Sequence, residues 1–195
     1  GTLTLRSSTV IQLWTDIGES VAAAGIKKLM LFNSHGGQVS VMDIVARDLR
    51  ARLDLLVYSV SWFNLPLTSA DGQDLNARFS ADEHRFGIHA GDVETSMMLA
   101  LDGARVDMAQ ARNFTSTSQD RAARFPILGN GKSAKLGWQM QDYNPAGAVG
   151  NAAAATRDKG QALVDAAGRS LAALLVELDQ LPLSTLVDRP VQGGT

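Results

Sequence analysis

The sequence predicts an α/β fold with a mostly parallel sheet, and two observations lead to this prediction. Over residues 8–63, apolar side chains recur first at helical spacing and then in short strand-like runs, in the order helix, strand, turn, helix, strand. This alternation is typical of parallel sheets. Hydrophobic residues make up 45% and charged residues 19% of the 195-residue chain, which is enough to bury a substantial core. We therefore expect a single α/β domain over residues 1–195.

The first part of the chain holds the clearest elements. Four are predicted there: a helix over 8–24, a strand over 28–32, a helix over 38–52 and a strand over 53–63. Ser7, Ser8 or Thr9 is expected to cap the first helix, and Gly25 to close it in a left-handed conformation.

The second part of the chain is less regular. Residues 65–87 are polar and too long for a simple connection, which is typical of a functional loop. Residues 113–150 carry several glycines and prolines and predict no regular element. Helices are expected over 92–101 and over 156–181, where Pro182 stops the second one. The tail that ends in Gly193-Gly194-Thr195 is expected to fray.

Composition excludes several classes of protein. The formal net charge is −2, so no basic excess indicates a nucleic acid or an anionic membrane as partner. The absence of cysteine excludes disulfides, thiolate metal sites and a cysteine nucleophile. No apolar run approaches the roughly 20 residues that span a bilayer, and the start does not read as a signal peptide. We expect a soluble, cytoplasmic protein.

Two of the three histidines lie in glycine-containing turns that lead into predicted helices. His35 stands in Ser34-His35-Gly36-Gly37 and His89 in His89-Ala90-Gly91. Glycine allows a sharp bend, and the helix N-terminus that follows points N–H groups at the same space. The first turn also follows the carboxyl end of a strand, where open α/β sheets bind ligands. The alternative, a tight turn that His35 merely caps, stays open at this point.

Glu94 is the second candidate for chemistry, since it lies in the first turn of the helix that follows His89. A carboxylate there suits the helix dipole, but imidazole and carboxylate are also the usual ligands of zinc and manganese. Asp92 is a further acidic candidate, for which a capping role is the simpler interpretation. By spacing alone, these residues form an incomplete metal site.

Three segments together resemble the creatininase (creatinine amidohydrolase) family. Asn33-Ser34-His35-Gly36-Gly37-Gln38 resembles its Asn-Gly-His-Gly-Gly-Asn turn, and the segment 89–96 resembles His-Ala-Gly-Glu-x-Glu-Thr-Ser. Thr156-Arg157-Asp158-Lys159-Gly160 is similar to its Ala-Thr-x-x-Lys-Gly segment, and Gly1-Thr2 matches a Pro-Gly-Thr stretch. The matching segments follow one another in the same order as in the family, from residue 1 to about residue 180.

The resemblance implies a three-layer αβα fold and the metal-dependent hydrolysis of a non-peptide amide C–N bond, of cyclic-amide or formamide type, in a small molecule. It implies a homohexamer and two divalent ions (zinc, manganese or iron) bridged by an aspartate and a water. By the same resemblance, His35 and Glu94 are metal ligands and His89 shuttles protons as general acid and base. Ser34, Gly36 and Gly37 would then contact the substrate.

Two departures from the family pattern qualify this expectation. The relatives carry a Glu-x-His and a bridging Asp upstream of the Pro-Gly-Thr stretch, so we expect a chain that is truncated at its N-terminus and a metal site that is incomplete. Creatininases also place a Trp and acidic residues just before the second histidine, where this chain has Arg85-Phe86-Gly87-Ile88. Creatinine is therefore not the expected substrate.

Two other functions compete with an amidohydrolase. The absent bridging aspartate favours a non-catalytic or metal-deficient scaffold that assembles through the oligomer surface of the family. The Gly-Gly turn also allows a nucleotide-binding module, although the other glycines and the lysine of phosphate-binding loops are missing.

Overall fold

The computed structural model describes residues 4–188, in which six α-helices and four β-strands form. In chain order they are α1 Ser7–Ala23, β1 Lys28–Asn33, α2 Val39–Leu53, β2 Leu56–Ser61, α3 Ala81–Phe86, α4 Asp92–Asp102, β3 Asn113–Phe114, α5 Thr117–Arg124, β4 Gly150–Asn151 and α6 Arg157–Gln180. The opening Gly1-Thr2 and the tail over 189–195 lie outside the described residues. Helix α6 belongs in part to each of two compact units, with the boundary between Gly168 and Arg169.

The first unit comprises the chain up to Leu65 together with the residues from Arg169 onward. Strands β1 and β2 pair in parallel, with Lys28 opposite Leu56. The core on one side of this sheet consists of Val45 and Leu49 from α2 and Leu55, the residue before β2. Partly buried side chains from the sheet and from α1 pack against it: Leu29, Leu31, Val57, Ile11 and Trp14. On the other side, Met30 and Tyr58 face Leu174 and Leu178 of α6. The sheet thus lies between two helical layers.

The second unit comprises residues 66–168. It contains α3, α4, α5 and the first half of α6, together with the short antiparallel pair β3–β4. Val149, next to β4, makes an isolated antiparallel bridge with His89. This bridge brings the residues before α4 beside the residues before β4.

The predicted order of elements is confirmed for both strands and for the four helices that the periodicity identified. The expected α/β class is confirmed as well, and Gly25 closes α1 at a φ of +86°. Whether the two units constitute the single domain expected over 1–195 stays a prediction. None of the helices within residues 4–188 has the length and apolarity that crossing a membrane requires.

Three local expectations were wrong. The N-cap of α1 is Arg6, which makes no capping hydrogen bond through its side chain. Strand β2 starts only at Leu56, because Asp54 ends α2 in the left-handed conformation at a φ of 50°. Helices α3 and α5 form in segments without predicted structure, where Ser80 and Ser116 each accept a backbone N–H at the helix start.

Candidate functional site

The first glycine turn is held by the buried side chain of Asn33, the last residue of β1. Its Nδ2 donates to Ser61 Oγ at the end of β2 (3.1 Å), and its Oδ1 accepts the backbone N–H of His35 (3.1 Å). Asn33 is only 3% exposed. The amide therefore ties the turn to the carboxyl ends of both parallel strands, the edge at which the sequence predicts a ligand site.

The His35 ring is occupied by its own turn. Its Nδ1 accepts the backbone N–H of Gly37 at 3.2 Å and so caps the 3-10 turn Gly36–Gln38. A nitrogen that accepts carries no proton, so the neutral ring holds its proton on Nε2. His35 thus caps its turn, and Nε2 is the nitrogen without a contact in the turn. Whether His35 merely caps the turn or also binds a cation stays a prediction.

The three residues expected to contact a substrate lie on the surface. Ser34, Gly36 and Gly37 are exposed. Ser34 lines a groove of about 320 Å³ whose walls are mainly apolar, including Trp14 and Phe32. Ser34 thus adds a polar residue to a mainly apolar groove. Contact of Ser34, Gly36 and Gly37 with a substrate stays a prediction.

The second turn brings His89 and Glu94 together at the start of α4. The Nδ1 of His89 lies 3.2 Å from Glu94 Oε2, and the same oxygen accepts the backbone N–H of Ala90 at 2.7 Å. The side chains are about half-exposed, at 49% for His89 and 46% for Glu94. A carboxylate oxygen at this distance repels a nitrogen lone pair, so the contact favours a proton on Nδ1, which places the lone pair of the neutral ring on Nε2.

The backbone of this turn is fixed from two sides. His89 and Val149 exchange backbone hydrogen bonds of 3.2 and 2.7 Å, and Thr95 Oγ1 donates to the carbonyl of Ala90 at 3.2 Å. Ala90 adopts a φ of 53°, a left-handed conformation that a residue with a Cβ rarely adopts. Such a conformation persists only where the surroundings enforce it, and it is enriched at functional sites.

Asp92 is not the cap that the sequence suggests. The N-cap of α4 is Gly91, whereas Asp92 is 4% exposed and accepts two hydrogen bonds from Lys159 Nζ, at 2.7 and 2.6 Å. Ser96 Oγ also donates to Asp92 (3.1 Å) and accepts the backbone N–H of Thr156 (3.1 Å). A buried carboxylate requires such a partner, because an unpaired charge is costly to bury.

The ion pair between Asp92 and Lys159 joins two of the segments that resemble the creatininase family, residues 89–96 and residues 156–160. Lys159 also lies 5.1 Å from the ring centroid of Phe79, a distance at which a cation and an aromatic face attract. Next to it, a Cβ at Gly160 would overlap the backbone carbonyl of Ser96. Glycine at 160 thus lets α6 approach α4 closely enough for the ion pair to form.

His84, the third histidine, has a structural environment. Its Nε2 lies 2.8 Å from the carbonyl oxygen of Asn76, and its ring packs edge-on against Phe79 with the centroids 6.2 Å apart. This agrees with leaving His84 out of the predicted site.

The donor set fits a divalent cation in chemistry but not in number. Imidazole and carboxylate are suitable ligands for zinc or manganese, which need three or four protein ligands. Within residues 4–188, however, no group of three or more His, Asp or Glu side chains could hold a metal ion. His35 belongs to the first unit and His89 and Glu94 to the second, so their convergence on one cation cluster stays a prediction.

Sequence reasoning missed Glu83 and assigned no role to Lys159. Both lie in locally polar stretches of the sequence, and the partners of both side chains lie ten or more residues away along the chain. Partners that are 10, 67 and 68 residues away leave no periodic signal, so a single sequence offers no way to pair them.

Solved structures with a similar fold include creatininases and a protein provisionally described as a creatinine amidohydrolase. A protein from Bacteroides fragilis NCTC 9343, provisionally described as a creatinine amidohydrolase, is 27% identical with a TM-score of 0.69. The match covers 93% of this chain and 65% of that one, so the chain spans about two thirds of its relative's length.

Two further structures are less similar in sequence and support the fold alone. A creatinine amidohydrolase (creatininase) is 22% identical with a TM-score of 0.61, over 91% of this chain and 66% of that one. A mutant creatininase described as Zn-Zn type is 21% identical with a TM-score of 0.61, with the same coverage. Among curated proteins, no sequence matches.

The family comparison covers most of the chain. The sequence model described as Creatininase: Creatinine amidohydrolase matches residues 1–175, which include both histidine turns, Glu94 and Lys159. Because this match extends over far more than half of the 195 residues, the chain belongs to the creatininase family.

Proposed function

We propose that this chain carries the larger part of an amidohydrolase that cleaves a non-peptide amide C–N bond in a small molecule. The observation that carries the proposal is the pairing of His89 Nδ1 with Glu94 Oε2 at 3.2 Å, at the start of α4. Membership of the creatininase family supports it, since the family is described as creatinine amidohydrolase.

His89 would move the proton. With Nδ1–H directed to Glu94, the Nε2 lone pair accepts a proton from the attacking water. The imidazolium that forms is stabilised by the Glu94 carboxylate, and its Nε2–H then protonates the leaving nitrogen of the substrate. The bridge to Val149 and the fixed conformation of Ala90 keep the ring in place for both transfers.

Glu94 and His35 are the proposed metal ligands. A bound divalent ion supplies a Lewis acid and a more acidic water. Only Oε2 of Glu94 has a hydrogen-bond partner within residues 4–188, so Oε1 is the oxygen available to a cation. His35 must give up the Gly37 N–H before it can bind, because binding through Nδ1 uses the accepting lone pair and binding through Nε2 moves the proton to Nδ1.

The substrate proposal is a cyclic amide or a formamide-type compound other than creatinine. The stretch Arg85–Ile88 before His89 lacks the Trp and the acidic residues that the resemblance associates with creatinine. Ser34, Gly36 and Gly37 are proposed to contact this substrate. A homohexamer and a cytoplasmic location complete the proposal, and light scattering of the purified chain tests the first of these.

A non-catalytic or metal-deficient scaffold is the second candidate function. The observation that favours it is the lack of a three-donor group within residues 4–188. Elemental analysis of the purified protein and turnover of a panel of cyclic amides and formamides separate the two. Stoichiometric bound metal together with turnover eliminates the scaffold, whereas a folded protein that takes up neither zinc nor manganese supports it.

His35→Ala tests the metal proposal directly. We expect it to abolish metal binding measured by equilibrium dialysis with zinc, because it removes one of few available donors. His84→Ala is the matched control and should retain wild-type binding, since the His84 ring lies against the carbonyl of Asn76 and the ring of Phe79. Loss of zinc in His84→Ala with retention in His35→Ala would show that the wrong histidine was assigned.

A further inference from the structure

Glu83, on the short helix α3, is a buried carboxylate with an unusual set of hydrogen-bond donors. Its side chain reaches the backbone N–H of Val93 through Oε1 (3.3 Å) and that of Asn151 through Oε2 (2.9 Å). Glu83 is 7% exposed. The two oxygens thus hold two segments that lie 58 residues apart, the start of α4 and strand β4.

Three glycines leave the space that this carboxylate occupies. A Cβ at Gly87 would lie 2.7 Å from Glu83 Cδ and one at Gly150 2.8 Å from Oε2, while one at Gly91 would overlap Oε1. Real Cβ atoms do not approach other heavy atoms so closely. Gly150 also has a φ of +134°, which disfavours any side chain there. The three glycines therefore leave room for the Glu83 carboxylate to lie directly against the backbone.

Both held segments lead directly to the proposed site. Val93 precedes Glu94, and Gly91 follows Ala90, whose N–H binds Glu94 Oε2. On the other side, Asn151 lies two residues after Val149, which is bonded to the backbone of His89. The carboxylate of Glu83 therefore fixes the backbone from which Glu94 projects and the backbone against which His89 is paired.

We propose that Glu83 is a positioning residue that sets the contact between His89 Nδ1 and Glu94 Oε2. The Glu83 side chain binds backbone N–H groups, not the His89 ring or the Glu94 carboxylate. It therefore acts on these two side chains through the main chain. Its consequence for catalysis rests on the proposed function, but its consequence for the His89 ring does not.

Glu83→Gln is the test variant, because it keeps the volume and removes one of the two acceptors. A glutamine amide offers one oxygen and one NH₂, so either Val93 or Asn151 loses its acceptor. Asp82→Asn is the matched control, an exposed neighbour on the same helix. Circular dichroism confirms folding, and ¹⁵N spectra of the histidine rings report which nitrogen of His89 carries the proton.

At a pH at which the His89 ring is neutral, we expect its single proton on Nδ1 in wild type and in Asp82→Asn. In folded Glu83→Gln we expect the two nitrogen signals to move towards a common average, as in a ring that has lost a fixed partner, while those of His84 stay unchanged. An unchanged His89 pattern in folded Glu83→Gln overturns the proposal.

Amide hydrogen exchange in the unmodified chain gives a second measurement, which also decides the case if Glu83→Gln does not fold. The amides of Val93 and Asn151 should exchange at least about tenfold more slowly than exposed loop amides, as buried hydrogen bonds do. Exchange at loop rates overturns the proposal.

If the enzyme proposal also holds, Glu83→Gln should lower kcat by about 100-fold with little change in KM, the cost of a small displacement of a reacting group. The chain on its own is expected to have little or no activity, and the ring spectra test the positioning role independently of turnover.

Discussion

The two histidine turns use the same ring in opposite ways. The neutral His35 ring accepts a backbone N–H at Nδ1 and so carries its proton on Nε2, whereas His89 places Nδ1 3.2 Å from a carboxylate oxygen, which favours a proton on Nδ1 and a lone pair on Nε2. In the proposed mechanism, His89 therefore accepts a proton at Nε2 without rearrangement. His35 must first give up the Gly37 N–H before its ring can bind a cation. The two turns therefore differ in what their rings can do, although both combine histidine with glycine.

The supports beneath the two turns differ as well. Asn33, a neutral amide, holds the His35 turn, whereas the start of α4 is held by buried carboxylates, Asp92 paired with Lys159 and Glu83 with backbone N–H groups. Neutral hydrogen bonds contribute little net stability, but a buried charge that loses its partner is strongly destabilising. The second turn is therefore expected to be the more sensitive of the two to substitution.

The largest effect is expected from Lys159→Met. It leaves Asp92 buried without its cation, which costs on the order of 3–5 kcal/mol of the free energy of unfolding. Since small domains are stable by only about 5–15 kcal/mol, the melting temperature should fall sharply. Urea unfolding followed by circular dichroism measures the loss.

The double variant Asp92→Asn/Lys159→Met is the control for that loss, because it removes both charges. It should recover much of the stability lost in Lys159→Met. If the double variant is as unstable as the single one, the cost comes from packing rather than from the unpaired charge.

A smaller effect is expected from Asn33→Ala in the first turn. It leaves the His35 N–H and the Ser61 hydroxyl without their partner, at a cost of about 1–3 kcal/mol by urea unfolding. Ser61→Ala removes only the Asn33–Ser61 bond and should cost less, because it keeps the acceptor of His35. A loss in Asn33→Ala as large as that in Lys159→Met would remove the distinction between the neutral and the charged support.

The smallest effect is expected at the exposed cluster between α1 and α2. Arg52 contacts Glu19 and Asp48 at 2.8 and 2.6 Å, and its hydrogen bond to Asp48 lowers the pKa of that carboxyl below 3.8. A lowered pKa in the folded state stabilises the fold above pH 3.8, and this contribution is lost as the pH falls through the folded-state pKa. Arg52→Gln should therefore lower the melting temperature slightly at pH 7.

The difference between Arg52→Gln and wild type should also shrink in high salt and at the lowest pH, as expected for exposed ion pairs. A difference that is independent of both salt and pH would indicate that the side chain of Arg52 contributes by packing rather than by charge.

Local patterns made most of the fold predictable, and long-range pairing made the site less so. The β1 strand and helix α2 follow from apolar spacing, and Gly25 from the demand of a left-handed helix end. Helix α3 did not follow, because its six residues are mostly polar and its cap is a single serine.

For the site, the turns of His35 and His89 could be predicted, since each is a local combination of glycine and histidine. The roles of Asp92, Lys159 and Glu83 could not, because each depends on a partner that only the folded chain brings near. Asp92 shows the limit most clearly: at the first residue of a helix a carboxylate suggests a cap, and only its burial reveals an ion pair.

Helix α6 belongs to both compact units: its residues 157–168 lie in one unit and its residues 169–180 in the other. A helix melts cooperatively along its length, so loss of one unit would deprive the other of half of a common element. Calorimetry of the intact chain should therefore record a single heat-absorption peak rather than two.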